Sequence, residues 1–308
     1  MKLPEELQFI QTGREKPRTT NARLDGKTAL ITGATSGVGY QAARSLAQGG
    51  ARLVLVCRDA QKASRVQEEL AQEFNCRVEI VLADFQKLAD VAHAARQIAA
   101  AYPAIHVLIN NAGIHNTRRR LTPDGNEAVF QVIHLASFLL TTILLQNLKN
   151  GAPARVINVN SEAHRFGGLN LNDLDWAKRP YIALRAYGAA KIAQLLCARE
   201  FSSRLAGSGV TVNVMHPGEV RTNIGMNNGF FYRFYNNYIL RAFLKDPQTA
   251  GKALYYLAAA PELEKVTGKF FNKTIPEPPA SYVMKAETQR AIWERSQELI
   301  KSYLEQTA

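Results

Sequence analysis

Apolar runs rich in valine, isoleucine and leucine recur along this chain, and a stretch with helical spacing follows most of them. The runs are "KTALIT" (27–32), "ARLVLVCR" (51–58), "RVEIVLAD" (77–84), "IHVLIN" (105–110), "ARVINVN" (154–160) and "VTVNVMH" (210–216), with "TGKFFN" (267–272) as a last short one. They are continuous rather than alternating, which is how strands covered on both faces read. Helical stretches fall at 38–48, 60–74, 86–101, 124–149, 183–206 and 247–260, and a final one at about 285–305. This alternation predicts an α/β fold: one doubly wound parallel sheet of about seven strands with helices on both faces. No linker or low-complexity stretch interrupts it, so residues 25–308 read as a single domain behind a polar N-terminal arm, 1–24.

Composition excludes several classes. Of 308 residues, 46% are hydrophobic, enough for a sizeable core, and 21% are charged. No apolar run reaches the length of a spanning helix, and the first residues lack the continuous apolar core of a secretory signal. Cys57, Cys76 and Cys197 are odd in number and form no CxxC pair, which reads as reduced thiols in a cytoplasmic setting. The net charge of +12 is dispersed apart from "TRRRL" (117–121) and "YRFYNNYILRAFLK" (232–245). With no zinc-finger spacing and no RNA-binding aromatic signature, it reads as a solvated basic surface serving an anionic cofactor, with no nucleic-acid partner and no metal.

The stretch "ITGATSGVGY" (31–40) carries the first sign of chemistry. Gly33, Gly37 and Gly39 follow a strand and open a helix whose Val38, Ala42 and Leu46 share one face. A helix N-terminus offers unpaired N–H groups and a partial positive charge, which suits a pyrophosphate. The plainer reading is a glycine-rich turn. Cofactor choice is read at the end of the second strand, where an acid bonds the ribose 2′-hydroxyl of NAD and a base accommodates the 2′-phosphate of NADP. Here Cys57 precedes Arg58 and Asp59. Arg58 suits a bidentate grip on phosphate and Ser36 offers a hydroxyl donor, while Asp59 reads either as the acid for a ribose hydroxyl or simply as the N-cap of the next helix. The expected cofactor is therefore NADP(H) rather than NAD(H).

Four blocks, "TGATSGVG" (32–39), "NNAG" (110–113), "YGAAK" (187–191) and "HPGEVRT" (216–222), resemble the signature blocks of the short-chain dehydrogenase/reductase family, in that family's order. "LVCRD" (55–59), "SEAHRFG" (161–167) and "AIWERSQELI" (291–300) resemble its retinol-dehydrogenase-like and WW-domain-oxidoreductase-like branch. The resemblance spans about 24–305 and implies a Rossmann-type fold and an NADP-dependent alcohol dehydrogenase or carbonyl reductase. It implies cofactor contacts at Gly33, Thr35, Ser36, Gly37, Val38, Gly39, Arg58, Asp84, Phe85, Asn111, Ala112, Gly113, Pro217, Gly218, Val220 and Thr222. Gly113 is expected to let the backbone come close to the cofactor. The segment after "PGEVRT", about 223–246, is expected to cover the substrate.

Tyr187 and Lys191 lie four apart on one helix face, and no other of the eleven tyrosines has a lysine at that spacing. Acid–base work near neutrality requires stabilising the phenolate by about 4 kcal/mol, the expected contribution of an adjacent ammonium helped by an oxidised nicotinamide; the plainer reading is an exposed helical Tyr–Lys pair. The resemblance further implies that Lys191 bonds the nicotinamide ribose and that Ser161 orients the substrate oxygen, although Asn160 stands where the family has a second serine. A loop serine that caps the next turn is the plainer reading of Ser161. One family residue is absent: Ile133 in "VIHLA" replaces an asparagine thought to hold a proton-relay water. Isoleucine has no donor or acceptor, and His134 lies about 100° around the helix. Two readings stay open. One is a carbonyl–alcohol oxidoreductase acting on a small molecule, a bulky lipophilic one if the aromatic segment 229–243 walls an apolar pocket; the plainer reading of that segment is an amphipathic helix packed on the core or on another subunit. The other is a weak relative that binds NADP(H) as sensor or partner. Homodimers or homotetramers built through 124–149 and 183–206, and peripheral membrane contact through 229–243, are further expectations.

Overall fold

β1 (Thr28–Thr32) runs through the middle of one sheet whose order is β3-β2-β1-β4-β5-β6-β7-β8. The computed structural model describes residues 15–218 and 247–305. The other strands are β2 (Arg52–Cys57), β3 (Val78–Leu82), β4 (Val107–Asn110), β5 (Ala154–Val159), β6 (Val210–His216), β7 (Phe270–Asn272) and β8 (Ile275–Glu277). Neighbours pair in parallel up to β7, and β8 returns antiparallel against it. Successive residues on a strand point to opposite faces. Leu30 therefore joins one core while Ala29 and Ile31 join the other, which is why the strands read as unbroken apolar runs.

Against one face pack α1 (Gly37–Gln48), α2 (Ala60–Phe74) and, further along the chain, residues Pro247–Ala259. Against the other pack α3 (Leu88–Ala101), a helical stretch from Ala128 to Asn150, residues Ala183–Arg204 and residues Ala286–Glu305. The helix expected at 124–149 is not continuous. It is α4 (Ala128–Phe130), a π-helical turn (Gln131–Leu135), α5 (Ala136–Ile143) and α6 (Leu145–Asn150). It starts late because Pro123, Asp124 and Gly125 (φ +83°) form a turn closed by the Leu121–Glu127 bridge, and Glu127 then caps Phe130 N–H at 2.8 Å. The remaining helices are α7 (Ala183–Arg204), α8 (Pro247–Ala259) and α9 (Ala286–Glu305).

Among the described residues the sheet has eight strands where about seven were expected. β8 is three residues long with Pro276 at its centre, and proline reads as a breaker although an edge strand tolerates it. β7 is shorter than the expected run, beginning at Phe270. β3 forms the opposite edge, so its Leu82 is exposed rather than covered. The described part of the N-terminal arm is tied down: Arg18 N–H donates to Thr274 Oγ1 at 2.7 Å and Leu24 N–H to Gly49 O at 2.8 Å. All three cysteines are free thiols, and Cys57 and Cys197 are buried.

Candidate active site

The strand order reverses between β1 and β4, so successive crossovers leave in opposite directions there and open a crevice at the carboxyl ends of the strands. A cleft of about 990 Å³ occupies that position. The loop after β1 brings Gly33, Thr35, Ser36, Gly37 and Val38 to it, and the ends of β2 and β3 bring Arg58, Asp84 and Phe85. Asn111, Ala112 and Gly113 come from β4, Ser161 from β5, and Pro217 and Gly218 from β6, while α7 supplies Tyr187 and Lys191. Val220, Thr222 and the expected substrate-covering segment lie outside the described residues.

The glycine loop owes its shape to a few contacts. Gly33 and Gly37 hold φ of +69° and +58°, a region costly for side chains with a Cβ. Gly39 stands behind the cleft wall rather than in it. A Cβ there would overlap the Asn111 amide and the Gly33 carbonyl, so the residue permits close packing of loop on strand. Thr32 Oγ1 accepts from both Asn111 and Ala112 N–H at 2.9 Å, and Asn111 Nδ2 donates to Thr32 O and Gly33 O at 3.0 and 3.1 Å. The ends of β1 and β4 are thereby locked together. Ser36 is the N-cap of α1 by position but makes no side-chain cap bond, which leaves its hydroxyl and the helix N-terminus facing the cleft. At Gly113, by contrast, a Cβ would sit 3.6 Å from Ile133 Cγ1, an ordinary contact. Among the described residues no close approach requires glycine there.

At the far end of the cleft, Asp59 is committed. It caps α2 by accepting Lys62 N–H at 3.0 Å, and its other oxygen pairs with Lys62 Nζ at 3.0 Å. Arg58 is exposed and its guanidinium makes no bond among the described residues. This donor set fits a nicotinamide dinucleotide: a helix N-terminus with N–H groups open, a loop without side-chain bulk, and a free guanidinium at the second strand.

At the other end, Lys191 is buried, its Nζ donating to Val159 O at 2.7 Å and lying 5.5 Å from the Tyr187 ring centre. Burial pushes its pKa down to about 7, because the ammonium is cut off from water. Tyr187 stands edge-on to His115 with ring centres 5.6 Å apart. Ser161 caps the 3₁₀ turn Glu162–Arg165, its Oγ accepting Ala163 N–H at 3.2 Å as the plainer reading has it, and it also lines the cleft. Asn160 braces the neighbouring elements, donating to Lys191 O and Gln194 Oε1, each at 3.0 Å.

Ile133 lies on the π-helical turn and is fully buried. Its carbonyl accepts from Gln194 Nε2 at 3.1 Å and Ser137 Oγ at 2.8 Å. His134 is not a substitute: it is buried in the core, bonded to Ser296 Oγ at 2.7 Å and packed on Phe130 and Phe138. The cleft also includes Lys62, His115, Asn116, Arg120, Leu184 and His216, which the sequence reading did not assign. His115 and Asn116 lie two and three residues after "NNAG", and Leu184 lies one turn before Tyr187, so proximity to a motif was the available signal. Arg120 sits in the "TRRRL" cluster.

A sequence model of the family described as short chain dehydrogenase matches residues 27–230. Retinol dehydrogenase 13 of Mus musculus is 37% identical over 286 residues, covering 91% of this chain and 86% of that protein. WW domain-containing oxidoreductase of Homo sapiens is 36% identical over 287 residues, covering 91% of this chain and 69% of that protein. An uncharacterized protein of Mycobacterium paratuberculosis superimposes with a TM-score of 0.75 at 30% identity, covering 93% of this chain and 98% of its own. A short chain dehydrogenase from Shigella flexneri 2a, solved with NADP, gives a TM-score of 0.68 at 22% identity, covering 82% of this chain and 99% of its own. At that identity the likeness is one of fold.

Proposed function

The chain belongs to the short-chain dehydrogenase family, and we propose that it is an NADP(H)-dependent oxidoreductase that interconverts a carbonyl and an alcohol. The observation that carries this reading is that Ser161, Tyr187 and Lys191 line the same cleft as the glycine loop and Arg58. A nicotinamide dinucleotide bound there supplies or takes up the hydride. Arg58 and Ser36 would hold its 2′-phosphate, and the N-terminus of α1 its pyrophosphate. Short chain dehydrogenases of the same fold solved with NADP or NADPH support the same reading.

In the reducing direction Tyr187 Oη donates a proton to the substrate oxygen, which leaves the phenolate. Ser161 Oγ–H donates to the same oxygen and orients it. The Lys191 ammonium, one helical turn away, stabilises the phenolate, and that negative charge in turn favours the protonated lysine against its burial. Ile114, Val132 and Leu184 give the cleft apolar wall, consistent with a lipophilic substrate, the class that the names of the retinol dehydrogenases also suggest. We propose that it works in the cytoplasm as a dimer or tetramer.

The test is NADPH consumption across carbonyl compounds of increasing size. Tyr187→Phe is expected to abolish it while leaving NADPH binding intact. Ile133 favours a second reading, a weak relative that binds NADP(H) without turning it over. Under that reading, wild type and Tyr187→Phe bind NADPH alike and neither consumes it.

A further inference from the structure

The turn that carries Ser161 is bolted to a segment more than a hundred residues away. His164 lies at the centre, fully buried, its ring against Phe270 with centres 4.9 Å apart. Its Nε2 accepts the backbone N–H of Ala280 at 3.2 Å. A backbone N–H only donates, so Nε2 bears the lone pair. The single proton of a neutral imidazole is then on Nδ1. That proton points at the carbonyl of Ser161, 2.8 Å away. Burial keeps the ring neutral, with a pKa pushed down to about 4.

The neighbours fix the same turn. Tyr282 Oη donates to His164 O at 2.8 Å. Arg165 is clamped between the buried carboxylates of Glu162 at 2.6 Å and Glu277 at 2.5 Å, and reaches Pro278 O at 3.0 Å. Ser161 itself is held on three sides. Its N–H donates to Asn160 Oδ1 at 2.9 Å, its carbonyl accepts from the backbone and ring of His164, and its Oγ accepts Ala163 N–H at 3.2 Å. What Ser161 has left is the hydroxyl proton, in a residue that lines the cleft.

We propose that His164 is a positioning residue for Ser161: its Nδ1–H holds the serine carbonyl, and Ala280 N–H holds the ring in the tautomer that does so. The role rests on the function proposed above, since it matters only if Ser161 orients a substrate oxygen. The residue does not line the cleft, so it acts through Ser161.

Two variants separate positioning from bulk stability. In His164→Asn the amide nitrogen takes the place of Nδ1, keeping the bond to Ser161 and losing that to Ala280. In His164→Gln the amide oxygen reaches the place of Nε2, keeping Ala280 and losing Ser161. Each loses one buried bond, so their melting temperatures are expected to fall alike. Turnover is expected to split: kcat falls about tenfold or more in His164→Gln and stays within about threefold of wild type in His164→Asn, with KM for NADPH unchanged in both. Nitrogen NMR on histidine-labelled wild type is expected to show the Nδ1–H form at neutral pH. An Nε2–H form overturns the proposal, as does an active wild type in which His164→Asn loses as much kcat as His164→Gln. A wild type that binds NADPH and reduces no carbonyl shows a different failure: it removes the enzyme reading, and the positioning role falls with it even if the tautomer stands.

Discussion

Lys191 carries a conflict between stability and chemistry. In the unfolded chain its ordinary pKa is 10.5, and burial in the folded, unliganded chain pushes it to about 7. Between those values the unfolded state binds more protons, so stability rises with pH across that window. Below about 7 both states are protonated and the cost of burying the charge is present in full, on the order of 5 kcal/mol at most. Lys191→Met is therefore expected to melt higher than wild type near pH 6 without ligand, with the gap closing towards pH 10, while losing activity. Thermal melts across pH check this; a constant gap would mean that the ammonium is not desolvated. Arg58 gives the second prediction at this scale. Arg58→Ala is expected to weaken NADPH about tenfold or more and to leave NADH almost unchanged, because a single charge-assisted pair with phosphate is lost. Equal affinities for both cofactors in both proteins would overturn the NADP assignment.

At the scale of elements, the glycine loop and α1 form one unit with the end of β4. Gly39→Ala forces its methyl into the Asn111 amide and Gly33 carbonyl. The loop must move, and the expected loss is about 1–3 kcal/mol of stability together with dinucleotide binding. Calorimetry with a NADPH titration reads both. The π-helical turn sets a different test. Ile133→Asn places an amide in a fully buried, apolar slot, costing about 1–3 kcal/mol where it finds no partner. If the missing asparagine limits proton relay, kcat rises and its pH profile shifts; an unchanged profile shows that the slot plays no part. Most of these elements were legible in the chain. α2 spans 60–74 as its spacing predicts, with Asp59 capping it, because a cap and an apolar stripe are written within a few residues. The break at 128–150 was not, because a π-helical turn keeps the same apolar composition as the α-helix it interrupts.

For the molecule as a whole, the closing contacts join parts of the chain that carry no mark of each other. Glu277 on β8 reaches Arg165 at the end of the turn that follows Ser161, and both are buried. Glu277→Ala leaves that guanidinium with one fewer carboxylate and is expected to cost about 3–5 kcal/mol, seen as an earlier unfolding transition. NADPH affinity is expected to change little, since the glycine loop lies on other strands. Sequence alone determined the alternation of strands and helices, the phosphate-binding loop, the Tyr187–Lys191 pair and the basic residue after β2. Each is a local pattern, set by side-chain periodicity or by spacing on one helix. Only the tertiary structure decided that β8 returns along the edge of the sheet, that Ile133 is fully buried, and that Ala280 selects the tautomer of His164. Those features depend on residues as far as 116 positions apart being brought within bonding distance. Such contacts arise from how the sheet edge closes over the turn after Ser161, and no short window of sequence contains both partners.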